Sequence, residues 1–216
     1  MRRFLFVVSL ILLSMAFMIT ISQSGEEQKP KKEEQAKVKT PEPLKKTYTA
    51  PTTPYVMDKN PHLIIETDLG NMEMELFLKE SPMTATNFLY LVREHYYDGL
   101  IWHRVIPDFV IQGGDPLGTG MGGPGYMIKF EVNDKKHNPG AIAMARSSDP
   151  NSAGSQFYVA LKSLPNLDKM GYCVFGQLVS GLDIAQKIAA VKRDQRYKPL
   201  EPVHIVKIYE KNSFMK

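Results

Sequence analysis

The chain has 216 residues and a single cysteine, and its 27 basic residues outweigh 23 acidic ones for a formal net charge of +4. Up to Asn60 ten Lys/Arg stand against six Asp/Glu, and the remaining seventeen of each sign cancel, so the excess belongs to the N-terminal part. A folded domain with a basic nucleic-acid face is thereby excluded, as is an intrachain disulfide, and Cys173 reads as a buried thiol.

Met1-Arg2-Arg3 precedes an uncharged stretch from Phe4 to Gly25 rich in Phe, Val, Leu, Ile and Met. A charged start followed by an apolar core is the layout of a membrane-engaging segment. The stretch exceeds the roughly 7 to 15 apolar residues of a cleavable signal and approaches the ~20 that span a bilayer. Residues 1–25 are therefore expected to stay as a single transmembrane anchor, the alternative being a signal peptide cut at the small residues Ser22-Gln23-Ser24. Arg2 and Arg3 hold that end in the cytoplasm and send the rest across, which predicts an extracytoplasmic protein, membrane-anchored, or secreted or periplasmic if the leader is cleaved. No Cys follows the apolar run, which excludes lipid attachment of the bacterial lipoprotein kind. Residues 26–60 run through Glu, Lys, Gln, Pro and Thr and are predicted to form a disordered polar linker.

Residues 61–211 suffice for one domain with one core. Leu63–Thr67 and Met72–Leu78 flank Asp68-Leu69-Gly70-Asn71, two strands and a turn. Ser81-Pro82 opens a helix as N-cap and first residue, Phe88, Leu91, Val92 and Tyr96 give it one apolar face, and Asp98-Gly99 stops it. Short β-rich runs follow at Trp102–Ile106, Phe109–Gln112, Tyr126–Phe130, Ala141–Ala145, Gln156–Ala160 and Cys173–Leu178. A second helix is predicted over Leu182–Ala190 and a last strand over Val203–Tyr209. Mainly β, with roughly eight strands and two helices, the pattern predicts a closed or nearly closed antiparallel barrel, because closure removes sheet edges.

The most informative stretch runs Trp102-His103-Arg104-Val105-Ile106-Pro107-Asp108-Phe109-Val110-Ile111-Gln112-Gly113-Gly114-Asp115. It closely resembles the signature of the cyclophilin family of peptidyl-prolyl cis-trans isomerases. Met144-Ala145-Arg146, Asn151 through Tyr158, Leu167-Asp168 and Val174-Phe175-Gly176 resemble further blocks of that family in the same order, and the likeness extends from about His62 to Tyr209. It implies an eight-stranded antiparallel barrel capped by two helices, with a substrate groove on the outer wall. Arg104 would point at the substrate proline, and Phe109, Val110, Tyr158 and Leu167 would form the proline pocket. Gln112, Ala145, Arg146 and Gln156 would hold the flanking backbone, with Tyr172 beside the pocket where many relatives have histidine. Val110 stands where many members have methionine, Arg146 where asparagine is common, and Asn166 where eukaryotic members often carry tryptophan. The last change predicts weak sensitivity to cyclosporin; Arg146 and a longer Asp149-Pro150 loop are features of bacterial members.

Rotation about an X-Pro bond cuts no bond and moves no electron, so no cofactor is expected. Expected partners are proline-containing unfolded or extended polypeptides and, through the N-terminal segment, a membrane; nucleic acid is not expected, and the chain is expected to be a monomer. His103 alternates away from Arg104 and reads as structural. The other histidines lack metal-ligand spacing, so no metal site is expected. Gly118, Gly120 and Gly123 satisfy G-x-G-x-x-G, but Pro124 follows and no helix opens, which reads as a flexible glycine loop. Two rival readings are a proline-segment binder without useful turnover and a small-molecule carrier barrel; the large apolar side chains of the strands would fill the interior a carrier needs. A structural Arg104 paired with Asp115 is the remaining alternative.

Overall fold

The computed structural model describes residues 46–211. The expected anchor and the first part of the expected linker lie outside the described residues. Eight strands form one antiparallel sheet: β1 (His62–Thr67), β2 (Gly70–Leu76), β3 (Arg104–Ile106), β4 (Val110–Gly113), β5 (Ala141–Met144), β6 (Phe157–Ala160), β7 (Val174–Ser180) and β8 (Ile205–Glu210). Their order is β3-β4-β6-β5-β7-β2-β1-β8. Among the described residues three α-helices accompany them, α1 (Pro82–Arg93), α2 (Pro165–Lys169) and α3 (Leu182–Ala190), with a 3-10 turn at Pro150–Ser152.

Alternation along the strands divides their side chains between two faces. Leu63 and Ile65 of β1, Met72, Met74 and Leu76 of β2, Val105 of β3, Ile111 of β4 and Phe157 and Val159 of β6 enter the main core with residues of α1 and α3. Its centre is aromatic. Phe157 meets Phe88, Tyr97 and Trp102 edge to face at centroid separations of 5.1, 5.5 and 5.5 Å. All four are fully buried and occupy the space a carrier barrel would keep open. A smaller cluster on the other face joins Phe77, Val110, Ala143, Tyr158, Leu164 and Val174. This part of the sheet is covered on both faces, hence the near-continuous apolar runs of β5 and β6.

Several expectations change. The ladder does not close: β3 and β8 are the ends of the strand order, and the eight strands form a curled half-barrel. The ends are linked by the Ile101–His204 bridge and by hydrogen bonds from Trp102 N to Val203 O (3.0 Å) and Ile205 N to Leu100 O (2.7 Å). Tyr126–Phe130 is not a strand, because its polar groups are taken by loops and side chains: Ile128 N donates to Ala153 O, and Phe130 N to Asn151 Oδ1. Helix α1 stops at Arg93, before Tyr96, and His95 takes a positive φ. Ser81 does not cap α1 with its side chain; the hydroxyl donates to Val174 O, and the Glu131 carboxylate accepts from Met83 N (2.9 Å) and Thr84 N (2.7 Å) instead. The five-residue α2 was not anticipated.

Residues 46–60, assigned to the linker by composition, lie against the domain. Tyr48 is buried and meets Tyr96 edge to face at 5.0 Å. Tyr55 donates its N–H to Thr86 Oγ1 and lies under the Arg93 guanidinium, while Asn60 accepts from Leu78 N and donates to Glu75. Sparse anchors at 48, 55 and 60 suffice because helix α1, strand β2 and the segments just after them supply the partners.

Candidate active site

Strand register builds the outer wall. Arg104 of β3 pairs with Gln112 of β4, Gln112 with Tyr158 of β6, and Tyr158 with Ala143 of β5. Cross-strand partners share a face, so these side chains form one row while Val105, Ile111 and Val159 point into the core. Val110, two residues before Gln112, shares that face. A β3–β4 turn brings Phe109 beside it, with Asp108 at φ 55°.

The row borders a cavity of about 150 Å³ lined by Arg104, Phe109, Val110, Gln112, Ala145, Arg146, Tyr158, Leu167 and Tyr172. Nine of the ten residues singled out by resemblance meet there, and the tenth, Gln156, is one hydrogen bond away. Arg104 Nη1 donates to Gln112 Oε1 at 3.3 Å, Gln112 Nε2 to Gln156 Oε1 at 3.0 Å, and Gln156 Nε2 to the carbonyls of Gly120 and Gly122 at 2.9 Å each. The Arg104 guanidinium also lies 5.9 Å from the centre of the Phe109 ring. No carboxylate pairs with Arg104 among the described residues, and the Asp115 carboxylate is otherwise engaged.

Asp115, 1% exposed, accepts N–H groups from Leu117 (2.7 Å), Thr119 (2.8 Å) and Gly120. Burial works to raise its pKa, but these hydrogen bonds outweigh it and hold the carboxyl below its ordinary range. The glycine loop is thus pinned where composition read it as flexible. Gly122 approaches so closely that a Cβ would lie 2.0 Å from Asp115 Oδ1. Together with Tyr126, Ser147, Ser152 and Gln156 this loop lines a second, larger cavity of about 560 Å³, which shares Gln112, Ala145 and Arg146 with the first.

Two positioning residues were missed. The buried His137 imidazole bonds Asp168 Oδ1 through Nδ1 (2.7 Å) and the Tyr158 hydroxyl through Nε2 (2.8 Å), and its backbone N–H also reaches Asp168 (2.9 Å). Asp168 follows Leu167 on α2, so one ring ties two walls of the small cavity together. Burial tends to raise the Asp168 pKa, and the His137 hydrogen bonds more than offset it, leaving it lowered. Burial, then Tyr172, pushes the Tyr158 phenol well above its ordinary pKa, keeping it a neutral donor. No spacing rule connects positions 137, 158 and 168; the only signal was Asp168 beside a pocket leucine. His103 lines neither cavity: it is 6% exposed, both ring nitrogens lack a protein partner, and burial lowers its pKa. Cys173 is likewise buried, its thiol against the hydroxyls of Ser81 and Thr84, and burial raises its pKa.

The family described as "Cyclophilin type peptidyl-prolyl cis-trans isomerase/CLD" matches residues 62–210. Peptidyl-prolyl cis-trans isomerase ppi1 of Schizosaccharomyces pombe is 44% identical over 147 residues, covering 66% of this chain and 94% of its own. A peptidyl-prolyl cis-trans isomerase of Helicobacter pylori is 46% identical over 134 residues, 60% of this chain and 81% of that protein. The crystal structure of a Cryptosporidium parvum cyclophilin type isomerase determined in the presence of the dipeptide Ala-Pro superposes with TM-score 0.66 and 36% identity over 69% of this chain and 98% of that one. The match spans the whole described domain from β1 to β8, and this chain belongs to the cyclophilin-type peptidyl-prolyl cis-trans isomerase family.

Proposed function

We propose that the 150 Å³ cavity receives the substrate proline ring and that Arg104 is the catalytic residue of the X-Pro isomerase. Amide resonance sets a barrier of ~18 to 20 kcal/mol, and unaided rotation takes about tens to hundreds of seconds. Bringing ~100 s to ~10 ms requires about 5 to 6 kcal/mol of preferential transition-state binding. In the twisted state the prolyl nitrogen becomes pyramidal and gains a lone pair. The guanidinium of Arg104 meets it with a charge-assisted hydrogen bond worth about 1.5 to 3 kcal/mol. Phe109, Val110, Tyr158 and Leu167 grip the ring, Tyr172 flanks it, and Gln112, Ala145, Arg146 and Gln156 hold the backbone on one side, supplying the rest by orientation.

The observation that carries this reading is the placement of Arg104 in the lining of a cavity that also holds Phe109, Val110 and Leu167, its guanidinium bonded to a neutral amide and free of any carboxylate among the described residues. A lysine there would lack the planar, weakly hydrated fork. The substrate class is an extended, proline-containing segment of an unfolded polypeptide, in keeping with the dipeptide used for the Cryptosporidium parvum relative. The test is isomerisation of an X-Pro tetrapeptide by the purified protein and by Arg104→Ala. Loss of acceleration in the variant supports the assignment, and equal rates favour a binder without turnover.

Arg2-Arg3 and the apolar run support a place of action outside the cytoplasm on an N-terminal anchor, Arg146 and the Asp149-Pro150 loop support the bacterial type, and the proposed state is a monomer. No helix among the described residues is long and apolar enough to cross a membrane, and the leader lies outside them. Fractionation with N-terminal sequencing tests this: an intact Met1 or Arg2 in the membrane fraction supports anchoring, and a new N-terminus at Gly25 means secretion. Sedimentation of the released domain tests the monomer.

A further inference from the structure

We infer that Arg146 makes the groove select substrates carrying an acidic side chain within a few residues of the proline. This rests on the proline-pocket reading above and names a specificity-determining residue for it. Arg146 lines both cavities, where a segment seated by its proline in the smaller one would place a neighbouring side chain in the larger. Its guanidinium is held but not neutralised. Nη1 donates to Ser147 O at 3.0 Å and Nη2 to Met170 O at 2.9 Å, and the group stacks 4.4 Å from the centre of the Tyr172 ring. Both acceptors are neutral carbonyls, no carboxylate pairs with it among the described residues, and each Nη keeps a second N–H to offer.

The surroundings leave the charge uncancelled. Neither cavity is lined by a carboxylate; Arg146 is the one charged side chain lining the larger, and Arg104 joins it in the smaller. Buried or half-buried acids nearby are engaged elsewhere: Asp115 with the glycine loop, Glu131 with the start of α1, Asp168 with His137. Asp149 is exposed and accepts from Asn151 N, and Asp108 is exposed at the β3–β4 turn. A substrate carboxylate would supply the missing counter-charge in a position partly shielded from solvent, where it is screened less than on open surface.

The experiment measures kcat/KM by protease-free NMR exchange for X-Pro peptides carrying Glu, Gln or Lys at each flanking position in turn, with the full-length protein. At one position Glu is expected to exceed Lys by about threefold to tenfold, with Gln between, the gap shrinking as salt is raised. Arg146→Gln is expected to bring the Glu/Lys ratio close to one, and Arg146→Lys to keep most of it. A ratio of one at every position in the unmodified protein, or a ratio unchanged in a folded Arg146→Gln, overturns the inference while leaving the isomerase reading intact. Absence of acceleration for all peptides overturns both.

Discussion

The two cavities of the groove are made of different material. The smaller is walled largely by side chains on strands β3, β4 and β6 and on α2, fixed by sheet register or by His137, with Phe109, Ala145, Arg146 and Tyr172 added from adjoining loops. The larger is walled mainly by the backbone of a glycine loop, fixed by one buried carboxylate and one glutamine amide. A wall of side chains on paired strands gives a rigid niche matched to one ring, whereas a wall of glycine backbone offers width and carbonyl groups and leaves side-chain selectivity to Arg146. The Arg104–Gln112–Gln156 chain joins them, so the comparison breaks wherever damage to one cavity reaches the other.

The largest effect is expected at Asp115. Replacing it by Ala leaves three N–H groups without their acceptor and should cost about 3 to 4 kcal/mol in urea denaturation. Its loss of kcat/KM should be greater for peptides long enough to enter the larger cavity than for a minimal X-Pro peptide; equal losses would show that the two cavities act as one. Arg104→Ala is expected to lower kcat/KM by about ten- to hundredfold, the rate equivalent of about 1.5 to 3 kcal/mol, with urea stability nearly unchanged. His137→Leu releases Tyr158 and Asp168 together and should raise KM for short proline peptides by about fivefold to tenfold, with a smaller change in kcat. An equal fall in kcat and kcat/KM would instead assign the ring a role in the transition state.

The smallest effect is that of pH. Asp115 and Asp168 have folded pKa values below their unfolded ones, so their stabilisation is fully present above the ordinary carboxylate range, near ~4, and is lost as pH falls through the folded values. Stability should therefore change little between about pH 5 and 7 on their account and fall below ~4, with Asp115→Asn flattening that fall by about one proton. Activity should be nearly flat between about pH 6 and 8, since no general acid or base is used; a sigmoid centred near ~6.5 would implicate a histidine.

Sequence alone was enough for the strands of the β1–β2 hairpin and for the presence of α1 and α3, because hydrophobic period and turn residues are local signals, whereas Arg104, Val110 and Gln112 were singled out by resemblance. It also carried Phe109, Tyr158, Leu167 and Tyr172 to one cavity, though only by resemblance. Tertiary structure decided what local pattern cannot encode. The sheet stays an open half-barrel whose ends are linked by an isolated bridge and not a ladder. Residues 46–60 and the glycine loop, both polar or small in composition, are held because distant partners, Tyr96, Thr86, Asp115 and Gln156, happen to face them. His137, Tyr158 and Asp168 come together from a loop, strand β6 and helix α2. Spacing along a sequence reports which face of its own element a residue occupies, and only the packed fold determines which residue from another element stands opposite.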